Sequence, residues 1–444
     1  MTGAEMRAAV EVERDHLTAL MARYDADLGV TVPPEGDLQA ALDHGGVIHL
    51  MSGAVYRGAY TVWVPGTRLL GHGASVVSQR AAAFVAPPGS YDLAIRELSA
   101  VSQNFDQAVV RLGANDETQT STELEPHHIT LDRVRVPTHR GKRGIEVNAR
   151  AVELTDCSVL DTWDPAGRDS QGLCVLNSSG ALLVTGGTYE AGSENIMVGG
   201  DTMKMAGVIT RDLLFDGVVL RKPLSWRTDG VPRKIKNLLE LKAGVGVRIR
   251  NFHMTGTWVD GQVGHAIVLT PRDGRLVDDV TIEDGIITDV GDGFQIMGRD
   301  YLSHTQGSMR VRVNRVAIRT RADFMGHGRY ALISGEPASV VFDDCRGDLS
   351  GQSLVLAYQG DVMEADGSVR PGGPIGELRM GAYDGTRPEW GFMLWGHANG
   401  GVHGQGLEAA NILDVRANTF RGDSDDTVSR RNFPANVYLP ASAA

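Results

Sequence analysis

The chain has 444 residues, a hydrophobic fraction of 42%, 55 glycines and a formal net charge of −12. That apolar content fills a core, and glycine without a collagen period marks turns and close backbone approaches rather than disorder. The acidic balance argues against a nucleic-acid surface, which needs dense Lys and Arg, and no apolar run reaches membrane-spanning length.

In chain order, the first residues are charged and lack the apolar stretch of a signal peptide. This leaves a cytoplasmic protein, a virion component or a secreted protein without its leader as alternatives. Met6, Val10, Leu17, Leu20, Met21 and Tyr24 recur at helical spacing, which predicts an amphipathic helix over 4–25. Its stripe needs a partner, either its own chain or a second subunit of a homo-oligomer. Pro33 and Pro34 end that element, so residues 1–34 read as a helical extension and 35–440 as one domain. Asp37 is placed to cap a short helix over Leu38–Leu42 that Gly45 and Gly46 end. Short strands follow at 47–50, 60–64 and 67–70, and the helix is placed to cover the open end of a strand stack.

From about residue 125, apolar runs return at near-regular intervals. One series is GLCVL (172–176), NIMV (195–198), NLLEL (237–241), HAIVL (265–269), GFQIM (293–297) and YALI (330–333). The members that start at positions 237, 265 and 293 are evenly spaced. A second series falls between them: AVELTDCSV (151–159), ALLVTGGTY (181–189), GVRIRNFHM (246–254), DVTIEDGII (279–287), RVRVNRVAI (310–318) and SVVFDDCRG (339–347). No helical stretch separates the strands, which excludes a βαβ fold. Stacked turns that bury a shared apolar column fit an all-β parallel β-helix.

Strand alternation sorts the side chains. In KNLLELK, Leu239 and Leu241 face the column, and Lys236, Glu240 and Lys242 face outward. The same alternation puts Asn237 inward, as a turn-binding residue, and His265 at the equivalent place in the next member of the series. Glu240 suits an acid or a sugar acceptor. KPLSWRTDG supplies Trp226, Arg227 and Asp229, and TWVDGQVGH supplies Trp258, Asp260, Gln262 and His265. Aromatic faces stack on sugars, carboxylates and amides bind hydroxyls, and arginine neutralises a uronate or an enolate-like charge. Glu194 and Asp201 flank IMVGG one turn earlier, so Glu194, Asp201, Asp229 and Glu240 are placed to line one face. A carboxylate pair at that spacing suits glycoside hydrolysis. For β-elimination, Arg227 or His265 would sit near the abstracted proton, and Arg248 or Arg272 would counter carboxylate charge.

The acidic clusters at 276–285, 340–345 and 421–428 are oxygen-rich enough to raise calcium as a cofactor, although surface charge and turn capping explain them as well. No other cofactor is required. Cys157, Cys174 and Cys345 have no metal-ligand spacing, so buried thiols are expected and one disulfide stays open. There is no P-loop, no Rossmann glycine motif and no nucleophile elbow. The segment 361–377 reads as a loop or insertion. Trp390, Trp395 and His397 are candidates to extend a groove or close the last coils.

The stretches GDLQAALDHGGVIHLMSGAVYRG (36–58), SENIMVGGD (193–201), 222–272 and NFPANVYLP (432–440) resemble bacterial right-handed parallel β-helix proteins of the pectate-lyase-like superfamily. The resemblance implies a right-handed coil. It also implies a carbohydrate-active protein that cleaves polysaccharide, by β-elimination or hydrolysis, in a groove on the outer sheet face. The alternative is a non-catalytic glycan-binding or structural protein of a virion or cell-surface assembly. The compact aspartate sets of calcium-dependent pectate cleavage are not apparent.

Overall fold

The computed structural model describes residues 29–300, most of 302–386, the short strands Phe392–Trp395, Thr419–Arg421 and Val437–Leu439, and Arg14. The expected helix over 4–25, the acidic cluster beyond Arg421, and the side chains at 390, 395 and 397 lie outside the described residues.

The chain winds into a parallel β-helix with three ladders of strands. Ladder 1 begins at Val30–Val32 and runs to Leu378–Met380. Ladder 2 begins at Val55–Arg57 and ends at Val437–Leu439, and ladders 1 and 2 form one continuous sheet. Ladder 3 is a separate 12-stranded sheet from Tyr60–Thr61 to Phe392–Trp395. Neighbouring strands within all three ladders are parallel. The antiparallel pair, Asp361–Met363 with Val369–Pro371, lies in the segment expected to be a loop or insertion. Because Val30 pairs with Ile48, the β-helix already includes residues 30–32, which the expected boundary at 34 left outside.

The two sequence series are these ladders. The first is ladder 3, and the second is a ladder 1 strand, a bend and a ladder 2 strand. Arg133, Asp156, Asn251, Asp284, Arg315 and Asp344 occupy the bend with φ between +48 and +54°, as do Gly186 and Gly217 at +66 and +71°. Asn, Asp and Gly are the residues that enter this left-handed region at least cost. The recurring TDC, TGG, FDG, RNF and EDG triplets are therefore bend markers. The residue after each bend turns inward, which is where Cys157 and Cys345 sit. All three cysteines are free and buried, so the open disulfide does not form.

The core is a set of inward columns. In ladder 1 one column is Leu131, Leu154, Val184, Phe215, Ile249, Ile282, Val313 and Phe342, matched strand to strand and all buried. Each such side chain contributes about 1.5–3 kcal/mol by leaving water. Helix α1, Leu38–His44, closes the first coil with Leu38 and Leu42 buried, and Asp37 Oδ1 accepts from Ala40 N at 2.9 Å, as its sequence predicts. No helix among the described residues is long and apolar enough to cross a membrane.

Candidate functional site

Outward side chains on ladder 3 form a row in strand register: Arg111, Glu146, Cys174, Met197, Glu240 and Val268. A second polar row sits at the strand starts. Arg143, Gln171 and Glu194 are in register there, as are His265 and Asp292 farther along. By alternation these residues belong to the inward set, but Arg143 and Glu194 meet outward groups. Arg143 Nη1 reaches Glu146 Oε2 at 2.7 Å.

Glu194 and Glu240 come together where the two rows meet. Gln171 Nε2 donates to Glu194 Oε2 at 2.8 Å, and Lys236 Nζ lies 3.5 Å from Glu194 Oε1, which accepts no hydrogen bond. Lys242 Nζ lies 3.2 Å from Glu240 Oε2, which also accepts from Asn237 Nδ2 at 3.3 Å. Asn237 Nδ2 donates in addition to Gln262 Oε1 at 3.1 Å. Asn237 therefore faces the outer charges rather than the core, which corrects its inward assignment. Lys236 also pairs with Asp169, and Lys234 Nζ holds Asp169 Oδ1 at 2.8 Å. The outward trio Lys236, Glu240 and Lys242 is as alternation predicts.

Burial and the neighbouring Glu240 charge push Glu194 up to about 7, against the opposing pull of Lys236, Lys242 and Gln171. Glu194 is 0% exposed and Glu240 3%, so two carboxyl groups share a nearly dry site with two ammonium groups. Behind Glu194 lies a fully buried amine. Lys222 Nζ donates to Ala191 O and Ser193 O at 2.8 Å and to Asn195 Oδ1 at 2.6 Å. Burial pulls it down to about 7, with the Glu194 charge opposing. It clamps the backbone that presents Glu194.

The other nominated residues lie elsewhere. Trp226 and Trp258 are 8% and 9% exposed and pack with Ile235 and Phe324 in a separate apolar cluster. Arg233 covers the Trp226 ring at 4.2 Å and Phe324 abuts Trp258 edge-on at 5.9 Å, so neither tryptophan is a sugar platform. Arg227 is held by Asp323 at 2.9 Å over the Phe324 ring, and Asp229 is held by Arg233 at 2.6 Å. Neither joins the Glu194–Glu240 pair. Asp260 Oδ2 accepts from Ile235 N at 2.8 Å, a loop-fixing contact. Asp201 Oδ2 accepts from Asn115 Nδ2 at 3.0 Å in the loops that follow ladder 3. Arg272 pairs with Asp300 at 2.7 Å. Arg248 points from ladder 1 toward Thr281 and Asp279, on a different face. His265 is buried, its pKa lowered first by burial, and the charges acting on it are those of Asp292, His327 and Arg329. Its equivalent on the next coil is Asp292 rather than Gly293, because the even spacing of the series slips by one position there.

Reasoning from sequence passed over Gln171, Asp169 and Lys222 and nominated neither Asn237 nor Lys242 for the site. A signal existed: the ladder 3 strands RGIEV, QGLCV, ENIMV, HAIVL and DGFQI all begin with a polar residue two positions before the inward apolar pair. Among the described residues no group of three or more His, Cys, Asp or Glu side chains is arranged to hold a metal ion.

No protein-family model matches the chain, and no curated protein matches it. Solved structures similar to it include an alginate lyase from Paenibacillus, with TM-score 0.37 and 17% identity over 74% of this chain and 97% of that chain. A mannuronic-acid-specific polysaccharide family 6 lyase from human gut microbiota gives 0.47 and 10%, over 92% and 90%. The tailspike of E. coli bacteriophage HK620 in complex with a pentasaccharide gives 0.49 and 11%, over 93% and 76%. The chain's own ladders define its class, a parallel β-helix with a charged, carboxylate-bearing outer ladder.

Proposed function

We propose that this β-helix cleaves a glycan chain by acid-assisted hydrolysis on the outer side of ladder 3. The observation that carries the reading is the Glu194–Glu240 pair on adjoining coils, set between Lys236 and Lys242. Glu194, raised to about 7, holds a proton near neutrality and donates it to the glycosidic oxygen. Glu240, faced by Lys242 and Asn237, serves the anomeric carbon directly or through a water. Lys236 and Lys242 balance the charge of the two carboxyls. Hydrolysis is preferred over β-elimination because the two residues expected beside an abstracted proton are engaged apart from the pair: Arg227 with Asp323 and Phe324, and His265 buried beside Asp292.

One observation favours a second reading, a glycan-binding β-helix without turnover: both carboxyls are almost fully covered. Calcium remains a proposal to be tested by its addition and removal. The deciding experiment is a panel of neutral and uronic polysaccharides, with and without calcium, followed by reducing-end release and by the ultraviolet absorbance of unsaturated uronates. New ends without new absorbance support hydrolysis. Ends with absorbance transfer the reading to β-elimination. Retention of intact glycan with neither signal supports the binding reading.

A further inference from the structure

At the corner between ladders 2 and 3, beside the first two rungs, the surface holds a recess of about 370 Å³. Arg57, Ser78, Gln79 and Arg80 line it, with the backbone of Gly58 and Ala81. That volume lies in the range of small-ligand sites. Both arginines are exposed, and among the described residues neither side chain makes a hydrogen bond or ion pair. Neighbouring Arg68, by contrast, holds Asp92. In a chain with 55 acidic and 43 basic residues, two unpaired arginines on one recess are a local excess of positive charge.

We infer that the recess is an anion subsite that takes the carboxylate or sulfate-ester group of an acidic glycan. A guanidinium offers a planar fork of donors that matches either oxyanion, and the exposed Gln79 amide adds neutral donors for sugar hydroxyls. Glu194 lies on the sixth rung of the same ladder. At about 4.8 Å per rung the two places are roughly 20–25 Å apart, a span an oligosaccharide bridges. The glycan part of the inference rests on the proposed function; the anion subsite rests on the recess and its arginines.

The test titrates the full chain with three oligosaccharides of equal length: oligogalacturonate, sulfated dextran and unsulfated dextran. The expected result is tighter binding of an acidic probe than of the neutral one, weakened by salt. Arg57→Gln with Arg80→Gln should lower acidic-probe affinity at least tenfold and leave the neutral probe unchanged. Preference for the carboxylated or the sulfated probe identifies the anion. Equal binding of acidic and neutral probes, or an unchanged double variant, overturns the inference. Both arginines are exposed, so an unchanged thermal transition confirms that the variant is folded. The readout is binding rather than cleavage, which separates the two failures: acidic-probe preference without turnover leaves the subsite standing and overturns the hydrolytic reading, and turnover without acidic-probe preference does the reverse.

Discussion

The outer faces of ladder 1 and ladder 3 are both rich in charge, and they are built in opposite ways. On ladder 1 and the bend that follows it, the charges pair across neighbouring rungs at the surface. Asp278 holds Arg310 at 2.6 Å, Asp284 holds Arg315 at 2.6 Å, and Asp216 holds Arg250 at 2.8 Å. Asp278 and Asp284 of the 276–285 cluster are thus engaged by arginines. On ladder 3, Glu194 and Glu240 share Lys236 and Lys242 under cover, and one carboxyl oxygen accepts no hydrogen bond. Exposed pairs are screened and contribute little. Buried like charges that share counter-ions shift protonation and are high in energy when one is removed. Acidic density alone therefore does not locate a site; the degree of satisfaction does.

The sharpest way to break this contrast is to remove one carboxyl on ladder 3. Glu194→Gln or Glu240→Gln should lower glycan cleavage by roughly 10²–10⁴-fold with the fold retained, checked by turnover and circular dichroism. Unchanged turnover would reduce ladder 3 to the structural role of ladder 1.

Next in size is Lys222→Met, which leaves Ala191 O, Ser193 O and Asn195 Oδ1 without their donor. A loss of about 2–4 kcal/mol is expected in chemical denaturation. A loss under about 0.5 kcal/mol would show that the clamp is dispensable.

pH separates the faces further. Glu194 is raised from 4.5 to about 7, so its stabilisation is complete below pH 4.5 and is lost as pH rises to 7. Over that window the protein should lose on the order of 1–3 kcal/mol relative to Glu194→Gln. Lys222 is depressed from 10.5 to about 7, so its contribution is present above 10.5 and is lost as pH falls to 7. Lys222→Met should flatten the alkaline limb. Parallel pH profiles for wild type and variants would contradict both assignments.

The smallest effect belongs to the bend that follows ladder 1. Asp284→Asn should change stability by no more than about 1 kcal/mol, since the Arg315 pair is solvent-exposed. A larger loss would mean that the surface ladder is a coupled network.

Much of the fold was legible because it repeats. Period-two apolar runs mark strands, and the Asn, Asp and Gly triplets mark bends that demand positive φ. The Asp37 cap and the outward trio Lys236, Glu240 and Lys242 followed from local rules. The expected aromatic platform failed for a different reason: a tryptophan beside a turn reads alike whether its face is open or covered, and Arg233 and Phe324 cover Trp226 and Trp258. Arg248 was misplaced because ladder membership, not distance along the chain, decides which face a charge occupies.

By itself the sequence determined the coil, its bends and its inward columns, because these rest on steric preference and apolar periodicity within a few residues. Only the tertiary structure decided that Gln171, Glu194 and Glu240 share one site, because they come from three successive coils and their register depends on the lengths of the loops between those coils. It also decided which charges are buried, and burial is what separates the proton held by Glu194 from the ordinary carboxylates of ladder 1.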